Sequence, residues 1–172
     1  MNAEIIIRPA NYADLPAMMQ ILNHEIKHTV NCFRMRPMTA GDAEKWWKAR
    51  ENGRYPAWVA MRQEQVVGWG SVSRWSAYEA YDGTAELSIW IAPEARRQGL
   101  GKRLMQTLIE FASGASFRVL LSRIEAENEA SIALHVAFDF SKVGTLSNVG
   151  EKFGRLLDVV IMELQLPPTS QR

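Results

Sequence analysis

The sequence predicts one mixed α/β domain, with an antiparallel meander of strands at the centre of its sheet and helices flanking it. Three observations carry that expectation. The hydrophobic period switches between 2 and 3.6 residues in the order β, α, α, β, β, β, α, β, α, β, which is not the strict βα alternation of a doubly wound fold. The 172 residues are enough for one sizeable core and too few for two ordinary domains. No internal repeat or low-complexity stretch divides them, so residues 1–166 read as one domain and 167–172 as a short frayed tail.

Each element has a local reason. Ile5-Ile6-Ile7 is a β-branched run closed by Arg8-Pro9, where proline removes a donor. Leu15, Met18, Met19, Leu22 and Ile26 recur at helical spacing, with Pro16 in the first turn, where a missing N–H costs little. Thr39 with Asp42 resembles a capping box opening a second helix through Trp46, Trp47 and Ala49, ended by Asn52-Gly53. Trp58 to Met61, a polar turn at 62–65, and Val66 to Val72 read as a hairpin, followed by a third strand from Thr84 to Ile91 that stops at Pro93. Leu104, Met105, Leu108, Ile109 and Ala112 mark an amphipathic helix after Gly99-Leu100-Gly101. A strand over 119–124, a short helix over about 129–137 and a long apolar strand over 156–166 complete the pattern.

Composition excludes several classes of function. Twenty Lys plus Arg against nineteen Asp plus Glu leave a net charge of +1, too little for a broad positive face toward duplex nucleic acid. The single Cys32 can form no internal disulfide and cannot supply the thiolates of a structural zinc site. His24 and His28 stand four apart on one helix, with no third metal ligand nearby in sequence. Met1-Asn2-Ala3-Glu4 is acidic where a signal peptide would be basic, and no apolar run nears the roughly 18 residues of a membrane span. The expectation is a cytoplasmic protein with no membrane and no nucleic-acid partner.

The most informative segment is Pro93 to Leu104, between a strand and a helix. Gly99 and Gly101 let the backbone turn tightly and approach a ligand, and the helix start behind them offers free N–H groups and a positive dipole end to an anion. Arg96, Arg97, Lys102 and Arg103 stand against Glu94 here, a local +3, so the other 162 residues sum to −2. The segment is not a P-loop, because no Gly-Lys-Ser/Thr follows at the required spacing. It is not a dinucleotide fingerprint either, because Leu104 stands where a third small residue is needed.

Arg96-x-x-Gly99-x-Gly101 after a strand, followed by a helix, resembles the acetyl-coenzyme A signature of the GNAT superfamily of N-acetyltransferases. Asn128 to Phe140 is similar to that superfamily's second block, with Asp139 in place of the usual glycine, and Asp tolerates left-handed backbone better than most residues. The resemblance narrows to the phosphinothricin and methionine sulfoximine acetyltransferases through Thr29 to Phe33, Thr84 to Ile91 and Val149 to Asp158, and covers nearly the whole chain. It implies the GNAT fold, a central mixed and largely antiparallel sheet flanked by helices. It also implies acetyl-CoA as co-substrate, no metal, and a homodimer.

Strand alternation puts Glu86, Ser88 and Trp90 on one face and Leu87, Ile89 and Ile91 on the other. In the resembling enzymes the carboxylate at Glu86 is the base that takes the ammonium proton, directly or through water. His135 falls where resembling enzymes carry the histidine that protonates the thiolate or shares the base's work. The resemblance further implies that Ile89, Trp90 and Ile91 pair with the pantetheine arm, that Arg97, Gln98, Gly99, Leu100, Gly101 and Lys102 hold the pyrophosphate, and that Asn128 reaches the pantetheine amide or the acceptor. It implies an acceptor pocket at Phe33, Ser76, Ala77, Tyr78, Thr84, Ala85, Glu86, Lys152 and Phe153.

The sequence departs from the family at position 76, where Ser76 replaces an Arg or Lys that faces the acceptor carboxylate. Arg74, two residues earlier, and Lys152 are the candidate replacements. No Cys-His-Asp spacing suggests a covalent acyl-enzyme, so direct transfer is expected. Three functions stay open at this point: acetylation of a small amino-acid-like amine, acetylation of another small amine or a protein amino group, and a non-catalytic acyl-CoA-binding module.

Overall fold

A computed structural model describes residues 4–167. The strands are β1 (Ile5–Pro9), β2 (Ala57–Arg62), β3 (Gln65–Arg74), β4 (Thr84–Ile91), β5 (Val119–Glu125), β6 (Ser141–Lys152) and β7 (Arg155–Gln165). The helices are α1 (Leu15–His28), α2 (Ala40–Lys48), α3 (Leu100–Gly114) and α4 (Glu129–Val136). All seven strands form one sheet in the order β1-β2-β3-β4-β5-β7-β6, antiparallel except for the β4–β5 pair. The mixed class expected from the element order is what the chain adopts. The expected tail falls almost wholly outside the described residues.

Local chemistry explains the boundaries. Pro16 occupies the first turn of α1, and Thr39 with Asp42 closes a reciprocal capping box on α2. The second helix ends at Lys48, short of Asn52-Gly53, which instead form part of the turn that follows, with Gly53 at φ +72°. The β2–β3 hairpin turns on Gln63 and Glu64, both at positive φ, the backbone hand that matches the twist of the flanking strands. Asp139 takes φ +63° after α4, the left-handed position that its replacement of glycine requires.

One strand escaped the sequence pattern. The order read from periodicity contains six strands, and β6 is the seventh. Nine of the twelve residues of Ser141–Lys152 are exposed and only Lys152 is buried, so no buried alternation marks the strand, and register shifts between Lys142 and Gly144 and between Leu146 and Gly150 break its period. It is an edge strand held by β7 alone.

The two faces of the sheet carry different helices. On one, the Trp69 indole donates to the Met18 carbonyl of α1 at 2.9 Å, and Trp46 of α2 meets Trp69 edge-on at 5.5 Å between ring centres. On the other, α3 packs Met105 and Leu108 with Leu87, Leu120 and Met162. The feature that matters most for function lies at the middle of the sheet. β4 and β5 run side by side only where Thr84, Ala85 and Glu86 face Val119, Leu120 and Leu121. Beyond that point β4 continues along β3 to Ile91, while β5 continues along β7 to Glu125. The two strands part.

Close packing of α3 on β3 supports that arrangement. A Cβ at Gly70 would stand 2.8 Å from Leu108 Cδ1 and 3.2 Å from the Ser88 carbonyl oxygen. Gly70→Val is therefore expected to destabilise the fold by about 1–3 kcal/mol, seen as a lower urea midpoint. An unchanged midpoint would mean that α3 moves away without cost.

Candidate active site

The parting strands open a cavity of about 770 Å³, walled by Leu87–Ile91 of β4, Ser122–Glu125 of β5, the start of α3 and much of α4. At its α3 end the chain turns through Arg97 at φ +58° and Gly99 at φ +80°. Gly99 is the N-cap and no side chain among the described residues caps the helix, so the first amides of α3 are left to face a ligand. Arg97, Gly99, Leu100, Gly101 and Lys102 all line the cavity, as the cradle reading requires. The residues present fit a phosphorylated ligand at this end.

Two members of the segment are diverted. Arg96 pairs with Glu25 of α1 and donates to the Ile91 carbonyl at 3.3 Å, so it braces the cavity wall and is spent as an anion ligand. The cause is Glu25, a carboxylate 4% exposed, which needs a cation where it is buried. Gln98 accepts from Arg62 and donates to the Glu94 carbonyl, and its residue does not line the cavity.

Ile89, Trp90 and Ile91 line the cavity along the edge of β4 that β5 has left. Backbone groups on that edge have no ladder partner, which suits an extended amide-bearing ligand. Asn128 also lines the cavity, but its Oδ1 caps α4 by accepting from the Ser131 N–H at 3.1 Å. The donor pair on its Nδ2 is what it has left to offer.

His135 lies on the same wall, 5% exposed. Its Nδ1 donates to the Ser131 carbonyl at 2.7 Å, which leaves Nε2, in the neutral ring, to accept from the Ser122 hydroxyl at 2.9 Å. Burial holds the imidazole below its usual pKa, against the opposing pull of the Ser131 carbonyl. Both ring nitrogens are engaged, and Ser122, which also lines the cavity, stands next to it.

Glu86 sits at the last paired position of β4, where the strands begin to part. Its carboxylate receives two parallel bonds from Arg123 of β5, Nε to Oε1 and Nη2 to Oε2, each at 2.6 Å. Arg123 lines the cavity, is half-exposed, and its guanidinium carbon lies 5.5 Å from the Trp75 ring centre. The pairing raises the Arg123 pKa through its bond to Glu86. Sequence reasoning missed Arg123. Its alternation places it on the Glu86 face, but nothing local pairs residues 37 apart in the chain.

The residues expected around the acceptor are more dispersed, and none of them lines the large cavity itself. Ser76 accepts from the Tyr78 N–H at 3.3 Å, in an exposed turn with Ala77. Arg74 is tied to the Ala77 carbonyl at 3.0 Å and to Asp82 at 3.3 Å, so it does not stand in for the missing cation at 76. Thr84 is half-buried, while Ala85 is fully buried in the core on the α3 face, away from the face Glu86 shares with Arg123. Phe33 is partly exposed in the loop after α1. Lys152 is 2% exposed and donates to the Cys32 carbonyl at 2.6 Å, with burial pulling its pKa down, so its charge is held inside its own chain. Phe153 follows at φ +53° in the β6–β7 turn, its ring 5.1 Å from the Lys152 ammonium. Among the described residues no group of three or more His, Cys, Asp or Glu could hold a metal.

A sheet that opens between two strands beside a glycine-turned helix start, to receive an extended phosphorylated donor, is the architecture of an acyl-transferring enzyme. Residues 17–140 match the model of the acetyltransferase (GNAT) family; the chain belongs to that family and transfers acetyl groups. The expectation of a non-catalytic module falls away with that membership. The chain is 37% identical over 164 residues, 95% of each chain, to the L-methionine sulfoximine/L-methionine sulfone acetyltransferase of Pseudomonas paraeruginosa. Among solved structures it matches the ribosomal-protein-alanine N-acetyltransferase of Brucella melitensis, with a TM-score of 0.91 and 38% identity over 94% of this chain and 99% of that one. It also matches a phosphinothricin acetyltransferase of Sinorhizobium meliloti in complex with acetyl-CoA, with a TM-score of 0.88 and 31% identity over 99% of this chain and 95% of that one.

The buried imidazole sets a pH dependence of stability. Because the folded pKa of His135 lies below its unfolded value, the unfolded chain binds a proton that the folded chain refuses, and stability falls as pH drops from about 7 to about 5. Asp14, whose carboxyl the Arg8 guanidinium holds below the usual range, loses its contribution only at more acid pH. Thermal unfolding of the wild type and His135→Gln across that window should give a flatter profile for the variant. Parallel profiles would remove His135 as the cause.

Proposed function

We propose that the chain transfers acetyl from acetyl-CoA to the α-amino group of a small amino-acid-like acceptor, of the methionine sulfoximine, methionine sulfone or phosphinothricin type, by direct attack in a ternary complex. The observation that carries this reading is the Glu86 carboxylate at the last pair before β4 and β5 separate, joined to Arg123, which lines the cavity. The relatives' names support the acceptor class.

Acetyl-CoA supplies the activated thioester. The chain's own residues then have separate tasks. Arg97, Lys102 and the amides at the start of α3, with the turn through Gln98 and Gly99, hold the pyrophosphate. The free edge of Ile89, Trp90 and Ile91 aligns the pantetheine arm and offers N–H groups to the thioester oxygen, and Asn128 Nδ2 adds a donor. Glu86 accepts the ammonium proton, directly or through a water, and so frees the nitrogen lone pair. His135 shares the base's work with Glu86: its neutral Nε2 takes, through the Ser122 hydroxyl to which it is bonded, the proton that the acceptor nitrogen loses after attack, and returns it by the same route to the leaving thiolate. No covalent acyl-enzyme is needed.

Acetylation of a protein amino group is the second reading, favoured by Ser76 in place of the family's cation and by the likeness to the ribosomal-protein-alanine enzyme. We further infer a cytoplasmic homodimer. The exposed Val143, Leu146, Val149 and Leu156 on the β6–β7 hairpin support the dimer.

Thiol release from acetyl-CoA across amino acids, sulfoximines, sulfones, polyamines and peptides tests the function. Turnover is expected on the sulfone and sulfoximine amino acids, reduced by about 100-fold or more in Glu86→Gln. Turnover on peptides alone would replace the first reading with the second. A burst of CoA without acceptor would contradict direct transfer.

Bulk at the cradle has a distinct signature. A Cβ at Gly101 would meet Leu134 Cδ2 at 3.1 Å and Ile91 Cδ1 at 3.5 Å, on the cavity wall. Gly101→Val is expected to raise the KM for acetyl-CoA by about tenfold or more, with a smaller change in the acceptor KM. An unchanged KM for acetyl-CoA would overturn the cradle assignment.

A further inference from the structure

Resting on the amino-acid reading above, we propose that Arg123 is the residue that receives the acceptor's α-carboxylate, taking the part that the missing cation at position 76 leaves open. A guanidinium has five N–H donors, and Glu86 uses two of them, one on Nε and one on Nη2. Of the remaining three, one on Nη2 and one on Nη1 form a second fork with the spacing of a carboxylate. Among the described residues that fork has no partner. The side chain is half-exposed and lines the cavity, so a ligand can reach it.

The other nearby cations are turned to other partners. Arg74 is tied to Ala77 and Asp82, Lys152 is buried on the Cys32 carbonyl, and Arg96 is paired with Glu25. Arg50 lies 3.6 Å above the Trp46 ring and donates to Ser73 Oγ at 2.7 Å, its Nε enclosed without a partner. Arg123 alone of these combines exposure, a free fork and contact with the proposed base.

The arrangement reads as a receptor for a zwitterion. A carboxylate on the free fork of Arg123 sets the α-ammonium of the same molecule, two bonds away, toward Glu86. Arg123 is then shared by two carboxylates, one from the protein and one from the acceptor. The two parallel bonds to Glu86 fix the rotation of the guanidinium, and the Trp75 ring, 5.5 Å from its central carbon, adds a cation–π contact. Arg123 thereby sets specificity: an amine without a neighbouring carboxylate loses the second fork.

The test compares kcat/KM for L-methionine sulfone, its carboxamide and its decarboxylated amine in the wild type, Arg123→Met and Arg123→Lys. The wild type should prefer the free carboxylate over both analogues by about 30-fold or more. Arg123→Met should bring that preference within about 3-fold, chiefly through a raised KM for the sulfone. Arg123→Lys, which keeps charge and loses the fork, should fall between. A structural defect would lower all three acceptors together and leave the ratios alone. If the wild type acetylates the sulfone but either variant keeps the full preference, this inference is overturned and the amino-acid function stands. If the wild type acetylates none of the three, the proposed function itself falls, and this inference with it.

Discussion

The structure depends on a disagreement between two strands. β4 and β5 lie parallel for three residue pairs and are then drawn to opposite partners, β4 by its full register with β3 and β5 by its full register with β7. Each strand keeps one satisfied edge and exposes the other. Unpaired backbone groups in an otherwise closed sheet are costly unless water or a ligand meets them. The gap is therefore lined by main chain, and what its free edge offers a ligand depends little on which side chains follow Glu86 along β4.

The two apolar clusters follow the same division. One gathers α1, α2, β2 and the first half of β3, with Trp69 at its centre; the other gathers α3, β5 and β7. Leu100 and Leu104 of α3 join the first, while Met105 and Leu108 join the second, so α3 spans both halves beside the opening. Its N-terminus is thereby fixed against the groove, and the glycine-turned segment before it inherits the rigidity of the core. Function sits on the seam between two bodies that are each well packed.

Much of this was legible in the sequence, and what was not has a physical reason. β4 runs over the expected Thr84 to Ile91, α2 opens on the expected Thr39–Asp42 capping box, and Gly99 takes the left-handed turn that the phosphate motif needs. Those features are local, so spacing encodes them. β6 was not legible because an exposed edge strand buries no alternate face. The long-range polar contacts were not legible either. Arg96 finds the Glu25 carboxylate across 71 residues, Lys152 the Cys32 carbonyl across 120, and Arg123 the Glu86 carboxylate across 37. The concentrated +3 of residues 94–103 is consequently smaller where a phosphate would sit, since the carboxylate of Glu25 neutralises Arg96. A charge count along the chain cannot anticipate which charges folding will cancel.

The tryptophans give the molecule a property of a different kind. Trp90 stands on the cavity wall, 6.4 Å from the buried Trp69, and Trp75 lies beside the guanidinium of Arg123. Indole emission responds to nearby charge and to displaced water. The chain thus carries two intrinsic optical reporters, one on the cavity wall and one beside the Arg123 guanidinium, and a ligand entering at either place announces itself without an added label.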